Sequence, residues 1–136
     1  MAFTSRIKVR FGDEDHARIV YYPRFFHFFH QAFEDFFDEQ GFAYRECLDV
    51  DQVGWPAVHA EADYERPVRF GETLIVEVSI ARIGDKSATF VYHARKDDGT
   101  TACRGKIVVA CIDMQTYAAR PIPDKYRALF ERHLAP

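Results

Sequence analysis

The stretch from Pro23 to about Gln40 constrains the fold more than any other part of the chain. Phe25, Phe28, Phe29, Ala32, Phe33, Phe36 and Phe37 fall on one side of a helical wheel, and Arg24, His27, Gln31, Glu34, Asp35 and Asp38 on the other. The apolar arc covers about half the circumference, wider than a simple surface helix needs. Such a helix has to be deeply embedded. Pro23 suits its first position, where a missing N–H is no loss, and Gly41 supplies a stop.

The rest of the sequence supplies what could enclose it. Arg6 to Phe11 alternates, with Ile7, Val9 and Phe11 on one face. After a loop containing Trp55-Pro56, four strand candidates follow. The first runs from Ala57 to Tyr64. In the second, Leu74, Val76, Val78 and Ile80 share a face, and in the third Ala88, Phe90, Tyr92 and Ala94. The fourth, Gly105 to Met114, is almost continuously apolar and is expected to be central. Turn residues at Gly84-Asp85 and Asp97-Asp98-Gly99 favour antiparallel neighbours. A short helix is expected from Asp124 to about His133. The order predicts an α+β fold: a five-stranded antiparallel sheet wrapped around one long central helix, as a single domain over residues 1–136. A ferredoxin-like fold would need a second equivalent helix between strands.

Composition narrows the function classes. A chain of 136 residues and 15.8 kDa is the size of one domain. Lys plus Arg is 18 and Asp plus Glu 21, a net charge of −3 that gives no general drive toward nucleic acid. No apolar run approaches the roughly 20 residues of a membrane span, and the first residues lack the apolar centre of a signal peptide, so a cytoplasmic protein is expected. Cys47, Cys103 and Cys111 form no CxxC pair, so neither a disulfide framework nor a metal site is expected. The 13 Phe, 7 Tyr and 1 Trp suit a ring-rich core, an aromatic pocket or a subunit interface.

Chemistry is best placed just ahead of the long helix. Asp13, Glu14 and Asp15 lie in the loop between the first strand and the helix N-terminus. Three acids in a row also suit a solvated turn. A helix N-terminus, however, offers unpaired N–H groups and partial positive charge to a developing oxyanion, and the N–H of Tyr22 is a candidate donor. A carboxylate beside a polarised carbonyl can attack it or activate water against it, which suits acyl transfer to water.

The segment Gly12-Asp13-Glu14-Asp15-His16-Ala17-Arg18-Ile19-Val20-Tyr21-Tyr22-Pro23 resembles the signature of the hotdog-fold acyl-CoA thioesterases. It is closest in form to the 4-hydroxybenzoyl-CoA thioesterase group, with the pattern G-D-x-D-x-x-G-I-V-(aromatic)-Y-P. The likeness covers roughly Arg6 to Asp113. It implies that Asp15 is the catalytic carboxylate, as nucleophile or general base, that the N–H of Tyr22 polarises the thioester carbonyl, and that Asp13 supports the loop. Tyr22 stands where the Tol-Pal-associated thioesterases have His. Phe29-His30-Gln31-Ala32-Phe33-Glu34 and Trp55-Pro56-Ala57-Val58-His59-Ala60 resemble the 1,4-dihydroxy-2-naphthoyl-CoA thioesterases. His30 and His59 are therefore candidate substrate contacts, with a dimer interface as the other place for His30; Arg18 is a third candidate, able to reach a carboxylate or hydroxyl on the substrate or to point to solvent. Lys86, Ser87 and Arg82 are the candidates for coenzyme A, because Asp85-Lys86-Ser87 falls where the aryl-CoA group carries a basic, Ser-containing turn.

Two departures stand out. Arg18 occupies a position that is usually Gly; if that backbone needs φ > 0, the side chain costs roughly 1–2 kcal/mol. His16 replaces the usual small residue or Pro. The resemblance implies a homo-oligomer, a dimer or a tetramer made of two dimers, with the fourth strand and the helix end covered at the interface and the pantetheine arm running between subunits. No cofactor is expected beyond the acyl-CoA substrate itself. Two other readings stay open: a hotdog module that binds acyl thioesters without hydrolysing them, and a thioesterase for acyl carrier protein that would dock on Arg24, Arg66 and Arg69.

Overall fold

All seven apolar residues expected on one face of the long helix are buried, none more than 4% exposed. The computed structural model describes residues 2–136. In chain order these form β1 (Phe3–Lys8), a 3-10 turn (Phe11–Asp13), α1 (Arg24–Glu39), α2 (Tyr44–Asp49), β2 (Val53–Gly54), β3 (Ala57–Tyr64), β4 (Thr73–Ile83), β5 (Ser87–Arg95), β6 (Thr101–Ala110), β7 (Ile112–Asp113) and α3 (Asp124–Glu131).

The main sheet has five strands in the order β1-β4-β5-β6-β3, every neighbouring pair antiparallel. Its inner face is built by alternation. Leu74, Val76, Val78 and Ile80 of β4 and Ala88, Phe90, Tyr92 and Ala94 of β5 point at α1, each at most 1% exposed. Phe29 stacks on Tyr92, and Phe33 and Phe36 meet Phe90 edge-on. Each buried ring contributes on the order of 2–3 kcal/mol of transfer free energy. Gly105 of β6 lies directly under the Phe29 ring, where any Cβ would collide with it. This is the hotdog arrangement, a curved antiparallel sheet around one long helix.

Four details differ from the sequence expectation. The first strand ends at Lys8, because Asp13 accepts the Arg10 N–H through its side chain (2.8 Å) and closes the 3-10 turn. Phe11 therefore leaves the inner face and is 79% exposed. The fourth long strand is β6, shifted to Thr101–Ala110; it is second from the edge, and β5 is the middle strand. Its apolar run divides, since Ile112–Asp113 turns away to pair with β2. The uncovered strand is accordingly β3, in which every residue except Ala62 is exposed. Finally, α2 is too short for its periodicity to show; it is fixed from outside by Asp38, whose carboxylate accepts the Tyr44 N–H at 2.9 Å. No helix among the described residues is long and apolar enough to cross a membrane.

Candidate active site

The loop between β1 and α1 is knotted around Asp13. This carboxylate is 8% exposed; it accepts the Arg10 N–H and pairs with the Arg24 guanidinium at 3.0 Å. Its carbonyl takes the Tyr21 N–H at 2.9 Å, and Arg24 also reaches the Gly12 carbonyl at 3.2 Å. Asp13 thus ties the start of the loop to its end and to the first turn of α1. Glu14 makes a second tie, accepting the Phe70 N–H at 2.9 Å.

Asp15 heads a tight reversal. Its N–H donates to the Ile19 carbonyl (3.1 Å), its carbonyl accepts from Arg18 (3.0 Å), and its carboxylate accepts the Ala17 N–H (2.7 Å). That turn forces Arg18 to φ +68°, the left-handed conformation that a side chain disfavours by roughly 1–2 kcal/mol. The positive φ anticipated at this position is present. The Asp15 carboxylate is exposed, with one oxygen free of partners among the described residues.

The helix begins directly beyond. Pro23 has helical dihedrals, and the first turn is closed by Arg24 N–H to Tyr21 O (2.8 Å), Phe25 N–H to Tyr22 O (3.3 Å) and Phe26 N–H to Pro23 O (3.1 Å). The Tyr22 N–H has no acceptor among the described residues. It is the free donor of a helix N-terminus. Two open cavities flank it. One, of about 430 Å³, is lined by Asp15, Glu14, Tyr21, Arg24 and His27. The other, of about 390 Å³ and mainly apolar, is lined by Ile19, Tyr22, Phe25, Tyr64 and Val68 among others. Asp15 thus lines the first cavity and Tyr22 the second. Tyr64 spans from β3 to the helix start, donating its hydroxyl to the Tyr22 carbonyl at 3.0 Å.

A family model described as the thioesterase-like superfamily matches residues 9–130, nearly the whole of this framework. The chain belongs to this superfamily, that of the hotdog acyl-CoA thioesterases. A 1,4-dihydroxy-2-naphthoyl-CoA hydrolase of Synechococcus elongatus is 30% identical over 118 residues, covering 86% of each chain. Among solved structures, a gentisyl-coenzyme A thioesterase is 30% identical with a TM-score of 0.84, covering 92% of this chain and 99% of that one. A thioesterase-superfamily protein from Jannaschia sp. is 28% identical with a TM-score of 0.93, covering 99% and 94%.

The remaining candidates lie apart from Asp15. His30 is on the open flank of α1, roughly 12 Å along the axis from Tyr22 at 1.5 Å per residue. It pairs with Glu34 at 2.8 Å and stacks on Phe33. His59 is exposed on β3 and pairs with Glu61 at 2.9 Å. Arg82, Lys86 and Ser87 sit around the β4–β5 hairpin, and Lys86 and Arg82 are exposed. Eleven residues of β4 separate this hairpin from the end of the sheet that holds the loop, roughly 33 Å at 3.3 Å per step. Two residues of the site escaped the sequence reading. His27 is exposed on the polar face of α1, as the helical wheel has it, and there lines the Asp15 cavity; its distance of four residues from Pro23, about one turn, is the available signal for that role. Tyr64 carried no local signal, being 42 residues from its partner.

Proposed function

We propose that this superfamily member hydrolyses the thioester of an acyl-CoA carrying a planar aromatic acyl group, giving the free acid and coenzyme A. The observation that carries this reading is the pairing of an exposed carboxylate, Asp15, with an unpartnered helix N-terminal donor, the Tyr22 N–H, on one knotted loop. The thioester carbonyl accepts from the Tyr22 N–H, which stabilises the negative charge that develops on its oxygen. Asp15 either attacks the carbonyl carbon or takes the proton of an attacking water. The thiolate of coenzyme A leaves in either case. Relatives named for 1,4-dihydroxy-2-naphthoyl-CoA and gentisyl-CoA support an aromatic acyl group.

The hairpin residues Lys86, Ser87 and Arg82 are too far along β4 to meet a coenzyme A bound at the same chain's Asp15. In this reading they meet the nucleotide phosphates of a substrate held by a second copy. The exposed edge strand β3, with Val58 64% exposed, is the surface across which the two copies pair. Arg18, three residues from Asp15, contacts a substituent of the acyl group, whereas His30 and His59, which lie apart from the same chain's Asp15, reach one only across the interface with the second copy. Arg24 is committed to Asp13, which weakens the case for an acyl-carrier-protein docking rim.

The test is thiol release from benzoyl-, 4-hydroxybenzoyl- and 1,4-dihydroxy-2-naphthoyl-CoA beside short and medium aliphatic esters. Aryl esters are expected to turn over at least tenfold faster in kcat/KM, a difference of about 1.4 kcal/mol. Equal or better aliphatic turnover overturns the aromatic assignment. Binding of the esters without thiol release supports the non-hydrolytic module instead.

A further inference from the structure

The residue carrying the proposed oxyanion donor is held at both of its flanking peptides, and one of the holds comes from a distant strand. The 21–22 peptide presents the Tyr22 N–H, without an acceptor among the described residues, and its carbonyl, that of Tyr21, accepts from Arg24 N–H at 2.8 Å. The next carbonyl, that of Tyr22, has only a long bond from the Phe25 N–H (3.3 Å) within the helix. Its second and shorter bond, 3.0 Å, comes from the Tyr64 hydroxyl at the end of β3. The Tyr64 ring is also wedged edge-on against Tyr22 (6.0 Å between centroids) and Phe25 (5.6 Å). It forms a wall of the apolar cavity beside the donor. Burial, with the nearby Cys103 and Tyr22, raises the Tyr64 hydroxyl above its ordinary range, so it remains a donor across neutral pH.

We infer that Tyr64 is a positioning residue for thioester hydrolysis: its hydroxyl fixes the orientation of the Tyr22 backbone and so the aim of the Tyr22 N–H, and its ring walls the cavity that takes the acyl group. This rests on the reading above, in which Tyr22 supplies the oxyanion donor. An N–H loosened by a few tenths of an ångström loses part of a geometry-dependent stabilisation. It also gives the edge strand a catalytic part, because β3 carries Tyr64 and any copy that pairs along β3 restrains it.

Three proteins decide the matter: wild type, Tyr64→Phe and Tyr64→Leu, assayed on the best ester of the CoA panel. Tyr64→Phe keeps the ring and removes the hydroxyl. It is expected to lower kcat about tenfold with KM within twofold, a smaller loss than the 10²- to 10³-fold typical of deleting an oxyanion donor outright. Tyr64→Leu is expected to lose, in addition, most of the preference for aryl over aliphatic esters. A readout insensitive to the folded fraction accompanies these: the infrared carbonyl stretch of the same ester bound to Asp15→Asn protein. It is expected to lie below its frequency in water and to move back toward that frequency when Tyr64→Phe is added. Wild-type kcat in Tyr64→Phe, or an unmoved carbonyl band, overturns this inference and leaves the functional reading standing. A wild-type protein that hydrolyses no ester of the panel overturns the functional reading and this inference with it.

Discussion

At its C-terminal end α1 is enclosed by rings. Phe36 and Phe37 meet Phe3, Phe90, Trp55, Tyr126, Phe130 and His133, and both are fully buried. The polar groups there are matched: Trp55 Nε1–H donates to Cys47 Sγ at 3.1 Å, Tyr126 donates its hydroxyl to Asp51, and Lys125 pairs with the same carboxylate. The N-terminal end differs on each count. Asp15 is exposed, Arg18 is held at φ +68°, the Tyr22 N–H has no acceptor among the described residues, and Tyr21 and Tyr22 are 51% and 62% exposed. One helix thus carries both jobs. The sealed end supplies stability, and the open end keeps the strain and the free hydrogen-bonding capacity that a reacting carbonyl can use.

The comparison breaks most easily at the sealed end. Phe36→Ala leaves a cavity among the rings of Phe3, Phe37, Phe90 and His133 and is expected to cost about 3–5 kcal/mol in urea unfolding, while the folded fraction keeps its kcat/KM. A loss of turnover per folded molecule would show that the two ends are not separable.

Alkaline pH probes the same interior. Burial raises Tyr92 and Tyr126 well above the usual tyrosine range and pushes Tyr44 up to about 12. It also pushes Cys103 up to about 12 and Cys111 to about 11. In the unfolded chain thiols and phenols release protons from roughly pH 8.5 to 10, whereas the folded chain retains them. Above about pH 9 the unfolded state binds fewer protons, so stability falls as pH rises. A Tm that is flat from pH 8 to 11 would contradict the sealed interior.

Smaller effects sharpen the contrast. Tyr126→Phe removes one hydrogen bond to Asp51 but leaves Lys125 in place. It is expected to cost about 1 kcal/mol and to make the alkaline decline of Tm shallower. Arg18→Gly relieves the left-handed side chain at the cost of a freer unfolded chain, for a net gain of about 0.5–1 kcal/mol. If Arg18 also meets a ring substituent, KM for a hydroxylated aryl ester rises a fewfold in the same variant. A destabilised Arg18→Gly protein would mean that the turn is not strained.

The sealed end was largely legible in the sequence because burial imposes periodicity. The seven apolar positions of α1 and the alternating faces of β4 and β5 are written in the residue pattern and recur in the structure. Strand ends were harder. Asp13 stops β1 through a side-chain bond that no periodicity encodes, and β6 slid by four residues at its start because its apolar run serves two sheets. The loop itself was readable as a family motif, and the positive φ at Arg18 agrees with the glycine that is usual there. What the sequence could not show was assembly at a distance: Tyr64 reaching Tyr22, or the hairpin of Lys86 lying at the far end of the sheet from Asp15.

The division of labour is tested most directly by one variant, Asp15→Asn, in which ester binding and turnover are measured on the same sample. The side chain is exposed and makes a single bond, to the Ala17 N–H, that an asparagine oxygen can keep. The account predicts benzoyl-CoA binding within a fewfold of the wild-type KM, an unchanged Tm and thiol release lowered at least about 10³-fold, or roughly 4 kcal/mol. Near-wild-type turnover in Asp15→Asn would contradict it, because the open end of the helix would then hold no catalytic carboxylate at Asp15.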